Sequence, residues 1–297
     1  MIKRTIEISR GPTHLAVRHA QLLLKREDEV VGQIPCEDIG VVLVDQPRTT
    51  YSHAALVSLA ESGAVLIICG RDHLPLAVLM PLADHSQIIW RINDQISVGR
   101  PLRKRLWKQL VQAKIRGQAN NLAVGSPARS KLLDMARQVQ SGDPTNLESQ
   151  AARVYWVNWI PEGAFRRDVD AQGLNGLLNY GYAVIRAAVA RAIVAAGLLP
   201  SLGLKHCHRS NGFCLADDLI EPLRPLVDDR ARELYRQGYQ ELIPEAKAGL
   251  LKLLADDLQL GGETGPLMVS LHRYVSSLVR CYQGQSKTLE IPKGLLG

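Results

Sequence analysis

Three short segments of the 297-residue chain carry carboxylates and imidazoles in settings suited to acid, base or metal chemistry. The first, Asn146-Leu-Glu148-Ser-Gln-Ala-Ala-Arg-Val-Tyr-Trp156, offers one carboxylate. Pro144-Thr-Asn146 reads as a helix start, and an acidic residue in the first turn suits the helix dipole. Glu148 then shares a face with Ala151, Ala152 and Tyr155, neighbours that put the carboxylate on an inward face or in a cleft. The second segment, Leu202-Gly-Leu-Lys-His206-Cys-His208-Arg-Ser-Asn-Gly212, carries two imidazoles, usable as metal ligands or as acid/base groups near neutral pH. The third, Leu215-Ala-Asp217-Asp218-Leu-Ile-Glu221-Pro-Leu-Arg-Pro225, places two aspartates within one helical turn of Glu221. Their mutual repulsion calls for compensation, by a divalent cation or by Arg224. Pro222 limits the helix there and fixes the angle of Glu221.

Two carboxylates and an imidazole suit Mg²⁺ or Mn²⁺. Such an ion polarises a phosphoryl oxygen and lowers the pKa of an attacking water or hydroxyl. No G-x-S-x-G, no phosphate-binding G-x-x-x-x-G-K-[ST] and no strand-linked G-x-G-x-x-G occurs. Metal-assisted phosphoryl chemistry is the expected enzyme class. On residue types alone the candidates are Glu148, one of His206 and His208, and one of Asp217, Asp218 and Glu221. Each segment also has a plain structural reading: a glutamate stabilising its own helix, two loop histidines, and an acidic patch.

The elements that must position these residues fall into two halves. Short apolar runs such as Val41–Val44 and Ala64–Ile68 lie between turn signals in the first 80 or so residues and predict strands. One amphipathic helix, Ser52 to Glu61, interrupts them, capped by Ser52 and followed by Gly63. From about Gln87 the periodicity turns helical. Leucines 102, 106 and 110 recur through 102–122, and an apolar face runs through 174–198, closed by Leu199-Pro200. Further helices are predicted near 128–140, 147–158, 227–239, 245–257 and 268–283. The fold class is α+β: a small β-rich domain over 1–86, followed by a larger all-α catalytic domain over 87–297.

The net charge of +7 favours a polyanionic partner. Arg100, Arg103, Lys104, Arg105, Lys108, Lys114 and Arg116 lie along one predicted helix, either as a solvated face or as a phosphate-tracking surface. Arg166-Arg167 form a second basic step. No signal peptide is apparent, and Arg186 and Arg191 interrupt the longest apolar stretch, so a cytoplasmic protein without a membrane span is expected. Five scattered cysteines with no C-x-x-C pair argue against a disulfide framework or structural zinc. Three function classes fit: a metal-dependent nuclease or integrase, a non-catalytic basic nucleic-acid-binding helical protein, and a metal-dependent phosphohydrolase of a small substrate.

Four motifs in order carry a resemblance: Glu148–Trp156, Leu177-Leu-Asn-Tyr-Gly-Tyr182, Gly203-Leu-Lys-His206 and Leu215–Pro225. Together with Ile34–Gly40 and Leu59–Gly63, they resemble the CRISPR-associated adaptation endonuclease/integrase family, which inserts new spacers into CRISPR arrays. The last motif is most similar to the branch found beside a single large RNA-guided effector nuclease. The resemblance implies metal ligation by Glu148, His206 and Glu221, with Asp218 assisting. It picks His206 from its neighbour because the family's glycine-x-x-histidine maps onto Gly203 and His206. It further implies a homodimer paired through the β-rich domain, double-stranded DNA as prespacer and leader–repeat target, and assembly with a small ferredoxin-like adaptation protein. The large effector nuclease is a further partner it suggests. The residues expected against DNA are Arg103, Lys104, Lys108, Arg166, Arg167, Asn179 and Tyr180.

Overall fold

The computed structural model describes residues 3–71, 73–81, 86–160 and 165–294. Its first part holds β1 (Arg4–Ile8), β2 (His14–Arg18), β3 (Gln21–Arg26), β4 (Glu29–Pro35), β5 (Ile39–Val44), β6 (Thr50–Tyr51), α1 (His53–Glu61), β7 (Val65–Cys69) and β8 (Pro75–Leu79). Two four-stranded sheets result, ordered β1-β5-β7-β8 and β4-β3-β2-β6. In the first, β1, β5 and β7 run parallel and β8 closes antiparallel on β7. In the second, β2, β3 and β4 are joined by two-residue turns, His19-Ala20 and Glu27-Asp28, with positive φ at all four residues. Two consecutive left-handed residues match the twist of the flanking strands, the requirement of a tight hairpin.

All six residues of β5 are buried, as in a parallel strand covered on both faces. Period-2 alternation divides them: Val42 and Val44 join the core shared with α1, while Val41 and Leu43 join the large core of the helical part. The helix expected at 52–61 is present, with Ser52 Oγ accepting from the Ala55 amide at 3.2 Å.

The remainder holds α2 (Ile88–Ser97), α3 (Arg100–Asn120), α4 (Pro127–Gln138), α5 (Leu147–Trp159), α6 (Leu174–Ala195), α7 (Cys214–Ile220), α8 (Arg224–Arg236), α9 (Pro244–Leu251), β9 (Asp257–Leu260), β10 (Glu263–Pro266), α10 (Leu267–Tyr282) and β11 (Lys293–Gly294). A 3₁₀ turn over Glu221–Leu223 links α7 to α8. The three short strands form a sheet ordered β10-β9-β11, which the periodicity did not reveal.

Helix α6 is the spine of this part. It has the length and apolarity of a membrane span, but most of it is packed inside the helical core. It stops short of the expected Leu199-Pro200 because Gly197 turns left-handed (φ +77), letting the Leu198 amide reach back to Ile193 O at 3.0 Å. At Gly181 a Cβ would meet Val227 Cγ1 at 2.5 Å, so a glycine is what lets α6 and α8 approach this closely. Helix α3 packs against α4, α5, α8 and the 3₁₀ turn, which brings its inner face beside Glu148 and Glu221.

Candidate active site

Four elements converge. Glu148 stands in the first turn of α5. That helix is not capped where the sequence suggested: Asn146 at its start is left-handed and makes no side-chain cap. Buried Asp143 replaces it, its two oxygens accepting from the amides of Leu147 at 2.9 Å and Glu148 at 3.0 Å. The backbone of Glu148 is thereby fixed from beneath.

Glu221 opens the 3₁₀ turn after α7 and is 5% exposed. Its Oε1 accepts from Arg224 Nε at 2.8 Å, one turn ahead. Its Oε2 lies 2.5 Å from Lys114 Nζ, and the same ammonium lies 2.6 Å from Glu148 Oε1. Lys114 thus bridges carboxylates from two separate helices. Burial alone would raise the Glu221 pKa, but the charges of Arg224 and Lys114 outweigh it and hold the group down at about 2. For Lys114, burial works against the charge, but Glu221 and Glu148 overcome it and the pKa is raised. Glu221 Oε2 is buried, meets this ammonium only as an ion pair, and lacks a well-directed hydrogen bond. Two carboxylates aimed at one cationic point, one with an unsatisfied buried oxygen, are a donor set suited to a hard divalent cation.

His206 lies on the loop between α6 and α7, and Asp218 of α7 shapes that loop. The fully buried Asp218 carboxylate accepts from the amides of Leu204 at 2.5 Å, Lys205 at 3.0 Å and His206 at 3.2 Å. It also accepts from His206 Nδ1 at 2.6 Å. The turn is so tight that a Cβ at Gly203 would meet His206 O at 2.3 Å and Asp218 Oδ2 at 2.8 Å, which gives the glycine-x-x-histidine spacing its physical reason. With Nδ1 committed to Asp218, Nε2 is the ring nitrogen left for chemistry. Trp107 of α3 packs edge-on to the ring, centroids 5.5 Å apart. The Asp218 hydrogen bond is the main cause of a raised His206 pKa; burial opposes it, and Glu221 and Glu148 add to it, so both carboxylates lie within electrostatic reach of the imidazole. Among the described residues no trio of His, Cys, Asp or Glu is gathered tightly enough to hold an ion, and Lys114 stands between the two glutamates.

The alternatives left open by the sequence lie elsewhere. His208 is exposed, its Nδ1 meeting Ser210 Oγ at 2.9 Å. Asp217 points to Arg186 Nε (2.5 Å) and Asn211 Nδ2 (2.6 Å).

Of the residues expected against DNA, Arg103 and Lys104 line a 420 Å³ cleft together with Arg100 and Trp107, its other wall being the Gly203–Cys207 loop. Lys108, half-buried, lies one turn further along α3. Arg166 is exposed. Arg167 turns inward: it donates to Asp168 O and Asn175 Oδ1 at 2.8 Å and to Asn179 Oδ1, and its guanidinium lies over the Tyr182 ring. Asn179 also holds Val169 O at 2.8 Å, so it ties the 165–170 segment to α6. Tyr180 is corrected: it is fully buried in the α6 core, with no surface to offer a strand.

Several members of the site gave no sequence signal. Lys114 was one more lysine in a basic run; only the packing of α3 turns it inward. Buried Gln95 of α2 clamps the histidine loop by taking the Leu199 amide at 2.9 Å and donating to Leu199 O and Leu202 O at 3.0 and 3.1 Å. Asp228 of α8 accepts from Tyr182 Oη beneath Arg224. Burial drives its carboxyl up to about 7, although Tyr182, Tyr155, Arg224 and Lys114 all pull the other way.

Comparison with known proteins places the chain in a family. The model of the family described as CRISPR associated protein Cas1 matches residues 7–242. The CRISPR-associated endonuclease Cas1 of Neisseria meningitidis serogroup C (strain 8013) is 36% identical over 303 residues, covering 99% of this chain and 97% of its own. Among solved structures, a casposase bound to integration product superposes with a TM-score of 0.80 at 18% identity, covering 97% of this chain and 93% of that one. A Cas6-RT-Cas1–Cas2 complex contains a chain with the same fold, TM-score 0.80 at 18% identity, covering 99% of this chain and 36% of that one. A family match over more than two thirds of the sequence, with an end-to-end relative at this identity, makes the chain a member of the Cas1 family of CRISPR-associated proteins.

Proposed function

We propose that the chain is a metal-dependent DNA endonuclease and integrase that inserts short DNA fragments into a CRISPR array. The observation that carries this reading is the convergence of Glu148 and Glu221, from separate helices, on one cation, beside an imidazole oriented by a buried carboxylate. Glu148, Glu221 and His206, through Nε2, would hold Mg²⁺ or Mn²⁺. That ion would polarise the target phosphodiester and make a hydroxyl a better nucleophile. In strand transfer a DNA 3′-hydroxyl attacks phosphorus, a new phosphodiester forms, and the old P–O bond breaks to release a 3′-hydroxyl. The proton lost by the attacking hydroxyl passes to solvent or a neighbouring base.

The chain's own residues do the rest. Asp218 keeps the imidazole in one orientation and tautomer through Nδ1. Arg100, Arg103 and Lys104 supply positive charge along the cleft beside the site, where a phosphate backbone gains from counterion release. Arg224 and Lys114 set positive charge beside the two glutamates, where charge develops on the phosphoryl oxygens. A homodimer formed through the β-rich part, working with a small ferredoxin-like adaptation protein, is the proposed assembly. The presence of Cas2 in the complex of a structural neighbour supports a partner protein in that assembly.

The test is integration of a short duplex into a leader–repeat target in Mn²⁺ or Mg²⁺. Glu148→Ala should abolish strand transfer and leave DNA binding largely intact; full activity in that variant would remove the site. Strongly salt-dependent binding would separate DNA from a small phosphorylated substrate.

A further inference from the structure

Lys114 presents a problem for any reading that puts a metal ion between Glu148 and Glu221. Its Nζ lies 2.6 Å from one carboxylate and 2.5 Å from the other, and its side chain is only 12% exposed. Arg224 holds the remaining oxygen of Glu221 at 2.8 Å. Two cations therefore already neutralise the two acids. A divalent ion entering this site must displace one ammonium from between the carboxylates, and it leaves the cluster with excess positive charge. At a buried site that excess is expensive, because interior charges are poorly screened. An anion arriving at the same place removes it, and the cleft lined by Arg100, Arg103 and Lys104 beside the loop of His206 is where a phosphodiester would arrive.

We infer that Lys114 is a resident counter-ion that holds Glu148 and Glu221 in register and keeps the divalent metal weakly bound until a DNA phosphate joins the site. Metal and DNA then load cooperatively. Each tightens the other by the same factor, since coupling between two ligands is reciprocal. Lys114 acts as a positioning residue: it pre-shapes the donor pair and sets the order in which charge enters. The inference rests on the metal-site reading given above and adds to it a reason for the lysine.

The experiment is titration of Mn²⁺ followed by the electron paramagnetic resonance signal of the free ion. It is run on the full chain with and without a saturating, non-cleavable DNA duplex. A Glu148→Ala/Glu221→Ala variant is carried through both conditions to subtract ions held by the DNA itself. Wild type should bind Mn²⁺ weakly alone and on the order of ten-fold or more tighter with DNA. Lys114→Gln and Lys114→Met should bind Mn²⁺ alone on the order of ten-fold tighter than wild type, with a smaller further gain from DNA. Lys114→Gln keeps an amide donor between the acids, and circular dichroism reports whether each variant folds. Should neither fold, the wild-type pair of titrations decides alone. Equal Mn²⁺ affinity with and without DNA, or a folded Lys114 variant that binds no tighter than wild type, overturns the inference and leaves the metal site standing. No wild-type binding above the double-variant background in either condition overturns the metal reading itself.

Discussion

Asp218 and His206 are joined twice, through ring Nδ1 at 2.6 Å and through the histidine's own amide at 3.2 Å. One buried carboxylate therefore fixes both where the imidazole starts and which way it faces. Asp218→Asn keeps the size and removes this. An amide nitrogen cannot accept, so whichever way the side chain turns its NH2 meets donors: the Leu204 and Lys205 amides at one end, or the His206 amide and Nδ1–H at the other. The expected result is a loss of about 2 kcal/mol in denaturant unfolding. Metal-dependent strand transfer should fall by about 10- to 100-fold, as when the partner of a ligating histidine is lost. A variant of unchanged activity would show that the imidazole needs no orientation.

How much of this was readable in advance differs residue by residue. Residue types alone left His206 beside His208, and Glu221 beside Asp217 and Asp218; Glu148, His206 and Glu221 are named by the family resemblance, whose glycine-x-x-histidine maps onto Gly203 and His206. The β-rich start and helical remainder followed from periodicity, since Val41–Val44 and the apolar face of α6 are local patterns. Lys114 and Asp143 could not be found that way. Lys114 is distinguished from Lys108 only by which side of α3 packs against α5, and Asp143 caps a helix whose sequence suggested Asn146. Tyr180 was misread because an aromatic on a helix beside a site looks the same whether it faces solvent or the core.

The Asp143 cap gives a second test. Asp143→Ala should cost about 1–2 kcal/mol of stability, the usual loss on deleting a capping carboxylate. It should also lower strand transfer, because the Glu148 amide loses its acceptor and the first turn of α5 frays. Thermal melts and the integration assay on one preparation check both. A stability loss with full activity would mean that Glu148 is held by Lys114 alone.

Asp228 makes stability depend on pH. Its folded pKa is raised from 3.8 to about 7, first by burial. A carboxyl raised on folding binds its proton more tightly in the native state, so its contribution is fully present below the unfolded pKa. It is then lost as pH rises through about 7. Wild type should lose stability between pH 5 and pH 8 relative to Asp228→Asn, which stays neutral and still accepts from Tyr182 Oη. Urea unfolding of both proteins at the two pH values measures the difference; parallel behaviour would place the titrating proton elsewhere.

Tyr180 carries a buried hydroxyl with no hydrogen-bond partner among the described residues. Tyr180→Phe removes the unsatisfied group and keeps the ring, so stability should be unchanged or improved by about 1 kcal/mol. DNA affinity should not move. Weaker DNA binding in a stably folded Tyr180→Phe would return this residue to the strand path.

The basic cleft can be separated from the basic surface by salt. A lysine or arginine that pairs with a phosphate contributes about 0.9 to the slope of log affinity against log salt concentration on duplex DNA. Arg103→Ala and Lys104→Ala, on the cleft wall beside the His206 loop, should each flatten that slope by roughly this amount. The weakening should be similar for unrelated sequences, because phosphate contacts carry no sequence information. Arg167→Ala should behave differently. Its guanidinium is spent on Asn175, Asn179 and Asp168 O, so its loss should loosen the 165–170 segment and lower the melting temperature with little change in slope. Fluorescence anisotropy across a salt series resolves the two behaviours. A full unit lost from the slope in Arg167→Ala, with none lost in Arg103→Ala or Lys104→Ala, would move the DNA path from the α3 cleft to the start of α6.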